Sequence, residues 1–231
     1  KDSLPTISNI SFKVNKGETL AIIGATGSGK STIINLIPRF YDATSGEVLV
    51  NGINVLDYKV KDLRNLVAIA SQKAALFKGT IQDNITYGSP IIDQERMDMA
   101  LDIAKADFVK DLEQGLDSMV AQGGSNFSGG QKQRISIARA LYKNAPIIIF
   151  DDTFSALDYK TDMLVRKKIK ENLKDTTVII IAQRIGTIMN ADNIIVLDEG
   201  KIIGMGTHKQ LLKSCSLYQE IALSQLSKEE L

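Results

Sequence analysis

The octapeptide Gly24-Ala25-Thr26-Gly27-Ser28-Gly29-Lys30-Ser31 constrains the fold more than any other feature of this 231-residue chain. A continuous apolar run, Leu20–Ile23, precedes it, and a helical stretch from Ser31 to about Ile37 follows, stopping near Pro38. Strand, glycine-rich turn and helix in that order make a cradle for phosphate. Gly24, Gly27 and Gly29, with Thr26 and Ser28 between them, let backbone N–H groups approach phosphate oxygens, and the helix adds its positive end. Lys30 is then placed to reach the β- and γ-phosphates, and the Ser31 hydroxyl to ligate Mg²⁺. Thr32 is positioned to donate to the α-phosphate. A flexible glycine-rich turn would have the same composition without the flanking strand and helix.

The other apolar runs extend the pattern. Leu66–Ala70, Ile147–Phe150, Val178–Ala182 and Ile194–Leu197 are short and apolar throughout, as strands of a parallel sheet covered on both faces are. Asn51-Gly52 between Glu47–Val50 and Ile53–Leu56 predicts a hairpin, and Lys201–Met205 a second one with Ile194–Leu197. From about Lys73 to Tyr142 helix formers dominate, including a helix expected over Gln94–Leu112, where Met97 and Met99 read as packing. A further helix is expected from Leu217. The basic cluster Arg166, Lys167, Lys168 and Lys170 reads as a solvated helix face. Lys and Arg number 28 against 27 Asp and Glu, a balance that argues against a nucleic-acid or polybasic membrane binder. The single cysteine, Cys215, excludes an internal disulfide framework.

Two further sites carry charge chemistry. The run Ile147–Phe150 ends in Asp151, which at the C-terminal edge of a parallel sheet is placed to hold Mg²⁺, through water. Ser128-Gly129-Gly130-Gln131 opens a helix through Leu141; Ser128 taken alone reads first as an N-cap, while the two glycines after it leave the helix N-terminus bare enough for a second anion. There is one histidine, His208, so any His-dependent step must use it or be impaired.

Together these motifs resemble the nucleotide-binding domain of ABC transporters over essentially the whole chain. Residues 24–31 match its Walker A, Gln72 its Q-loop, Phe127–Gln131 its signature, 147–151 its Walker B and Ser155–Asp158 its D-loop. The segment Leu76–Ile85 resembles the exporter type. The resemblance implies an α/β P-loop NTPase fold with a RecA-like core and an antiparallel β subdomain (1–72 and 143–231) and an inserted helical subdomain (73–142). It implies ATP and Mg²⁺ as cofactors, with Ser31, Gln72 and Asp151 at the metal. It also implies head-to-tail pairing with a second such domain, in which Ser128, Gly129, Gly130, Gln131 and Asp158 face the partner's nucleotide. Transmembrane domains of the same polypeptide, a position at the cytoplasmic face of the plasma membrane, and an adenine-stacking aromatic upstream of Lys1 are further expectations; no nucleic acid is expected.

Four features depart from the family pattern. Asp152 stands where a glutamate usually serves as general base on water, one methylene shorter, and a misplacement of about 1 Å can cost a hundredfold in rate. Gln183 follows Val178–Ala182 where a switch histidine is usual, and an amide cannot carry a proton. His208 lies in a Gly-Thr-His turn far along the chain and is expected to be structural or on the surface. Phe127 replaces the signature leucine. Met119, Ala121 and Gln122 replace Glu, Gly and Glu in the loop before it. With Gln72, Asp152 and Gln183 are the catalytic candidates, and the pattern is that of a degenerate-site subunit of a heterodimeric exporter, an ATPase weak or inactive at its own Walker site. A homodimeric exporter using Asp152 as a slow base and an ATP-gated regulatory ABC protein are the alternatives.

Overall fold

The computed structural model describes residues 6–227. In chain order the strands are β1 (Thr19–Ile23), β2 (Leu49–Val50), β3 (Ile53–Asn54), β4 (Val67–Ala70), β5 (Gly79–Thr80), β6 (Met119–Val120), β7 (Ile147–Asp151), β8 (Thr177–Ile181), β9 (Asn193–Asp198) and β10 (Lys201–Gly206). The helices are α1 (Lys30–Leu36), α2 (Val60–Asn65), α3 (Ile81–Ile85), α4 (Gln94–Ile103), α5 (Gly129–Tyr142), α6 (Tyr159–Asn172), α7 (Ile185–Ile188), α8 (His208–Ser214) and α9 (Ser216–Gln225).

Strands β10-β9-β1-β8-β7-β4 form one sheet in that order. All neighbours are parallel except β10, which runs antiparallel to β9 at the edge. Successive side chains alternate between its faces, and both faces are buried. Ala21, Ile23, Ile148, Phe150, Ile180 and Val196 join one apolar core with α4, α5 and α6. Leu20, Ile22, Ile149, Ile179, Ile181 and Leu197 join the other with α1 and α2. That two-sided burial is why these strands read as unbroken apolar runs. The architecture is the one the resemblance implies, a parallel sheet with antiparallel strands added. No described helix is long and apolar enough to cross a membrane.

Three expectations need correction. The Asn51-Gly52 hairpin forms, but as two-residue strands: Asn54 Oδ1 accepts from Leu56 N (3.0 Å) and turns Val55–Asp57 into a 3₁₀ turn, ending the pairing early. The helix expected over Gln94–Leu112 stops at Ile103, because Lys105 adopts a left-handed conformation (φ 52°) and exposes its carbonyl to Arg134, whose Nη1 donates to it at 2.9 Å. The basic cluster on α6 is not a uniformly solvated face. Arg166 Nε donates to the buried Asp162 at 2.7 Å, and Lys168 Nζ lies 2.5 Å from Asp102.

Candidate functional site

The phosphate loop runs from the C-terminal end of β1 to the start of α1, so its backbone opens at the sheet edge, where ligands of parallel α/β sheets bind. Gly24 is packed against the Leu197 carbonyl of neighbouring β9, where any side chain would collide. Gly29 caps α1 at φ 100°, with Ile7 Cγ2 2.5 Å from where a Cβ would stand. Only glycine meets both demands. Thr26 and Gly27 are exposed at the tip of the loop, Ser28 and Lys30 are buried, and Ser31 and Thr32 open outward from α1. Lys30 Nζ donates to the carbonyls of Gly24 and Ala25, each at 2.7 Å, and to Ser28 Oγ at 3.4 Å. Burial lowers its pKa, and the charges of Asp152 and Asp151 oppose that shift.

Asp151 closes β7 beside the loop. Burial and the neighbouring Asp152 push its carboxyl up, against the lowering effects of Lys30 and a hydrogen bond from Ser31. A hydroxyl, a carboxylate and the Gln72 amide are hard oxygen donors suited to Mg²⁺, the more so when phosphate oxygens complete the shell. Among the described residues no three His, Cys, Asp or Glu side chains converge on a metal site.

Asp152 is the geometric centre of the site. It is 6% exposed and left-handed (φ 45°), its N–H bonded to Ile181 O of β8 at 2.9 Å. Gln72 Nε2 and Gln183 Nε2 each donate to the same carboxylate oxygen, Oδ2, at 3.0 Å. The two amides come from loops after β4 and β8, 80 and 31 residues away in sequence. Ser155 Oγ donates to the Asp152 carbonyl at 2.7 Å, fixing the turn that follows.

The signature segment occupies a different place. Ser128 caps α5 in a reciprocal box: its Oγ accepts from Gln131 N at 3.2 Å, and its own N–H donates to Gln131 Oε1 at 2.9 Å. Gly129 and Gly130 leave the helix start uncovered. Among the described residues no hydrogen bond or ion pair joins residues 128–131 to the phosphate loop. Asp158 caps α6 through Thr161 N at 3.0 Å, and its hydrogen bonds to Thr161 hold its pKa low. Phe127 packs as a hydrophobe against Phe108, ring centroids 6.2 Å apart. Met119 is 54% exposed on β6, and Ala121 N donates to Asn126 Oδ1 at 2.9 Å.

Residues 7–155 match the sequence pattern of the family described as "ABC transporter". The chain belongs to the ABC transporter family. It is 46% identical, over 96% of its length, to an uncharacterized ABC transporter ATP-binding protein of Mycobacterium bovis, and covers 38% of that protein. It is 45% identical, over 94% of its length, to the ATP-dependent lipid A-core flippase of Photobacterium profundum, and covers 37% of it. A solved bacterial Atm1-family ABC exporter with ATP bound superimposes with a TM-score of 0.92 at 39% identity, covering 96% of this chain and 40% of that one. The chain thus spans about two fifths of the length of the relatives it matches, and corresponds to the ATP-binding domain of an exporter-type ABC protein.

His208, the lone histidine, lies away from Asp152: it is 7% exposed, and its Nδ1 shares a 2.8 Å hydrogen bond with the buried Tyr218 hydroxyl. Sequence reasoning missed several residues that shape the site. Thr153 Oγ1 donates to Ala70 O at 2.7 Å and Gln133 Nε2 to Ser71 O at 3.0 Å, together fixing the strand end from which Gln72 departs. Arg139 donates to Ala75 O, Asn84 O and Asn84 Oδ1 at 2.7, 2.6 and 2.8 Å and braces the segment after Gln72. Gln225, near the end of α9, bonds the backbone around Gln183. A polar residue bonding backbone has no motif; only the helical position of Gln133 hinted at an inward face.

Proposed function

We propose that this domain binds Mg-ATP at residues 24–32 and pairs head to tail with a second ABC domain, each nucleotide lying between one phosphate loop and the other's 128–131 turn. The separation of the two anion-competent turns within the chain supports this, since neither can reach the other's ligand alone. Lys30 would bind the β- and γ-phosphates, and Ser31, Gln72 and Asp151 would hold Mg²⁺, which when bound neutralises phosphate charge. Ser128, Gly129, Gly130, Gln131 and Asp158 would complete the partner's site. The core and β subdomain (1–72, 143–231) and the helical part (73–142) would move as separate bodies as the pair closes. Coupled to transmembrane domains at the cytoplasmic face of the plasma membrane, closure would drive export.

The observation that carries the finer reading is the shared oxygen. With both amides donating to Asp152 Oδ2, only Oδ1 remains to accept a proton from water. Gln72 and Gln183 orient the carboxylate but cannot take up or relay a proton. An oriented base one methylene short, beside an amide in place of a histidine, describes a site that holds ATP and hydrolyses it slowly. The partner is then a different subunit with a competent base, completed by this chain's intact signature.

The test is single-turnover hydrolysis in the intact, paired protein. Asp152→Glu with Gln183→His is expected to raise the rate at this chain's phosphate loop by at least tenfold; no gain would sink the base-and-switch account. A homodimeric reading is favoured by one observation, that the chain carries both a complete phosphate loop and an intact signature. It would prevail if the chain paired with itself turned over ATP briskly and Asp152→Asn abolished that turnover.

A further inference from the structure

The short helix α7 starts two residues after Gln183, and its N-terminus has no cap of its own. Arg184, at the N-cap position, makes no side-chain hydrogen bond to it, although the first N–H groups of any helix need a partner. That partner comes from the far end of the chain. Gln225 Oε1 accepts from Ile185 N at 2.8 Å, and Gln225 Nε2 donates to Gln183 O at 2.9 Å. One amide therefore clasps the backbone on both sides of Arg184, in the turn whose Gln183 side chain reaches Asp152.

The helix that carries Gln225 is itself firmly seated. Tyr218 and Ala222 of α9 are fully buried, and the Tyr218 hydroxyl is tied to His208 of α8 at 2.8 Å. A continuous set of contacts thus runs from the α8–α9 pair, through Gln225, to the turn at 183–185 and on to Oδ2 of Asp152. Gln225 is exposed, makes no contribution to the apolar core, and spends both ends of its amide on this one turn.

We propose that Gln225 is a positioning residue for Gln183, through which α9 holds the Gln183 amide against Asp152. The proposal rests on the reading above in which Gln183 and Asp152 act at the hydrolytic step.

The experiment is single-turnover hydrolysis by the intact, paired protein, with wild type, Gln183→Ala, Gln225→Ala, Gln225→Glu and the double Gln183→Ala/Gln225→Ala compared. Gln225→Ala should lower the rate at this chain's phosphate loop roughly three- to tenfold while the ATP concentration at half-maximal rate changes less than about twofold. Gln225→Glu loses the donor and sets a carboxylate against the Gln183 carbonyl, so it should fall as far as the alanine. The double variant should be no slower than Gln183→Ala alone, because Gln225 acts only through Gln183. Amide exchange should quicken at Ile185 and its neighbours in Gln225→Ala and be unchanged in β7, which separates a local role from general loosening. Additive losses in the double, or a full rate in Gln225→Ala while Gln183→Ala is slow, would overturn the proposal and leave the reading of Gln183 standing. A full rate in Gln183→Ala would overturn that reading, and this proposal with it.

Discussion

Asp162 and Arg166 on α6 give a prediction that can be worked from the structure. Arg166 grips the carboxylate at both oxygens, Nε to Oδ1 at 2.7 Å and Nη2 to Oδ2 at 3.2 Å. Its Nη1 also reaches the Thr187 carbonyl of α7 at 3.4 Å, and Thr187 Oγ1 donates to Asp162 Oδ2 at 3.5 Å. The side chains are 3% and 15% exposed, so removing one charge leaves the other poorly hydrated. Breaking such a pair costs about 3–5 kcal/mol, and water at the rim of Arg166 places Asp162→Ala near 3. For a domain of this size that is a fall of roughly 6–12 °C in Tm. Replacing both partners, Asp162→Leu with Arg166→Met, removes the stranded charge and should cost far less than the two single changes summed. Thermal and urea denaturation of wild type, Asp162→Leu, Arg166→Met and the double gives the coupling directly, with Asp162→Ala measured beside them. A loss under about 1 kcal/mol for Asp162→Ala, or simple additivity in the double, would refute the claim that a buried ion pair ties α6 to α7.

Other expectations follow from the same reasoning. Ser128→Ala should cost about 1 kcal/mol in a thermal melt, because it removes the α5 cap, and Ser128→Asn should recover most of that loss. Arg139→Ala should cost about 3 kcal/mol and speed amide exchange over residues 75–87, where it now bonds Ala75 and Asn84; Arg139→Lys should recover less than half, since an ammonium lacks the fork that spans those acceptors. Burial, aided by Lys209, lowers the His208 pKa from its ordinary 6.5, so the unfolded chain takes up this proton first. His208 should therefore withdraw stability as pH falls from about 6.5 towards its folded value. Burial raises Tyr218 to about 12, so the folded protein keeps that proton longer and stability should fall as pH rises from 10 to 12. Tyr218→Phe should make the alkaline limb shallower between pH 10 and 12 in a denaturation series against pH.

The sheet was legible in the sequence because its strands are buried on both faces: four or five apolar residues in a row, between turn residues, leave few other interpretations. The phosphate loop was legible because its glycines serve backbone geometry, and backbone geometry is written in residue type. What escaped was the bonding of side chains to distant backbone. Nothing local in Gln225 or Arg139 states that a carbonyl 42 or 64 residues away will accept from it. The length of α4 escaped for a related reason: helical spacing continued past Ile103, but Arg134, 29 residues on, takes up the carbonyl of Lys105. Arg166 misled because basic residues at helical spacing look solvated until the buried aspartate one turn earlier is seen.

The helix α5 has a consequence for how such a site can change over time. Over about 20 Å it begins at Ser128, bonds Ser71 through Gln133, Lys105 through Arg134, and Ala75 and Asn84 through Arg139; Lys143 at its end bonds the carbonyls of Arg64 and Val67. Replacing any of Gln133, Arg134, Arg139 or Lys143 would release a segment distant in sequence. Asp152 and Gln183 sit instead on turns whose backbones are bonded separately, Asp152 N to Ile181 O and Gln183 O to Gln225 Nε2, so exchanging either side chain breaks the amide bonds to Oδ2 and leaves those backbone bonds in place. The backbone that places the Asp152 and Gln183 side chains is thus held independently of what those side chains are, whereas the outward bonds of α5 rest on its side chains themselves.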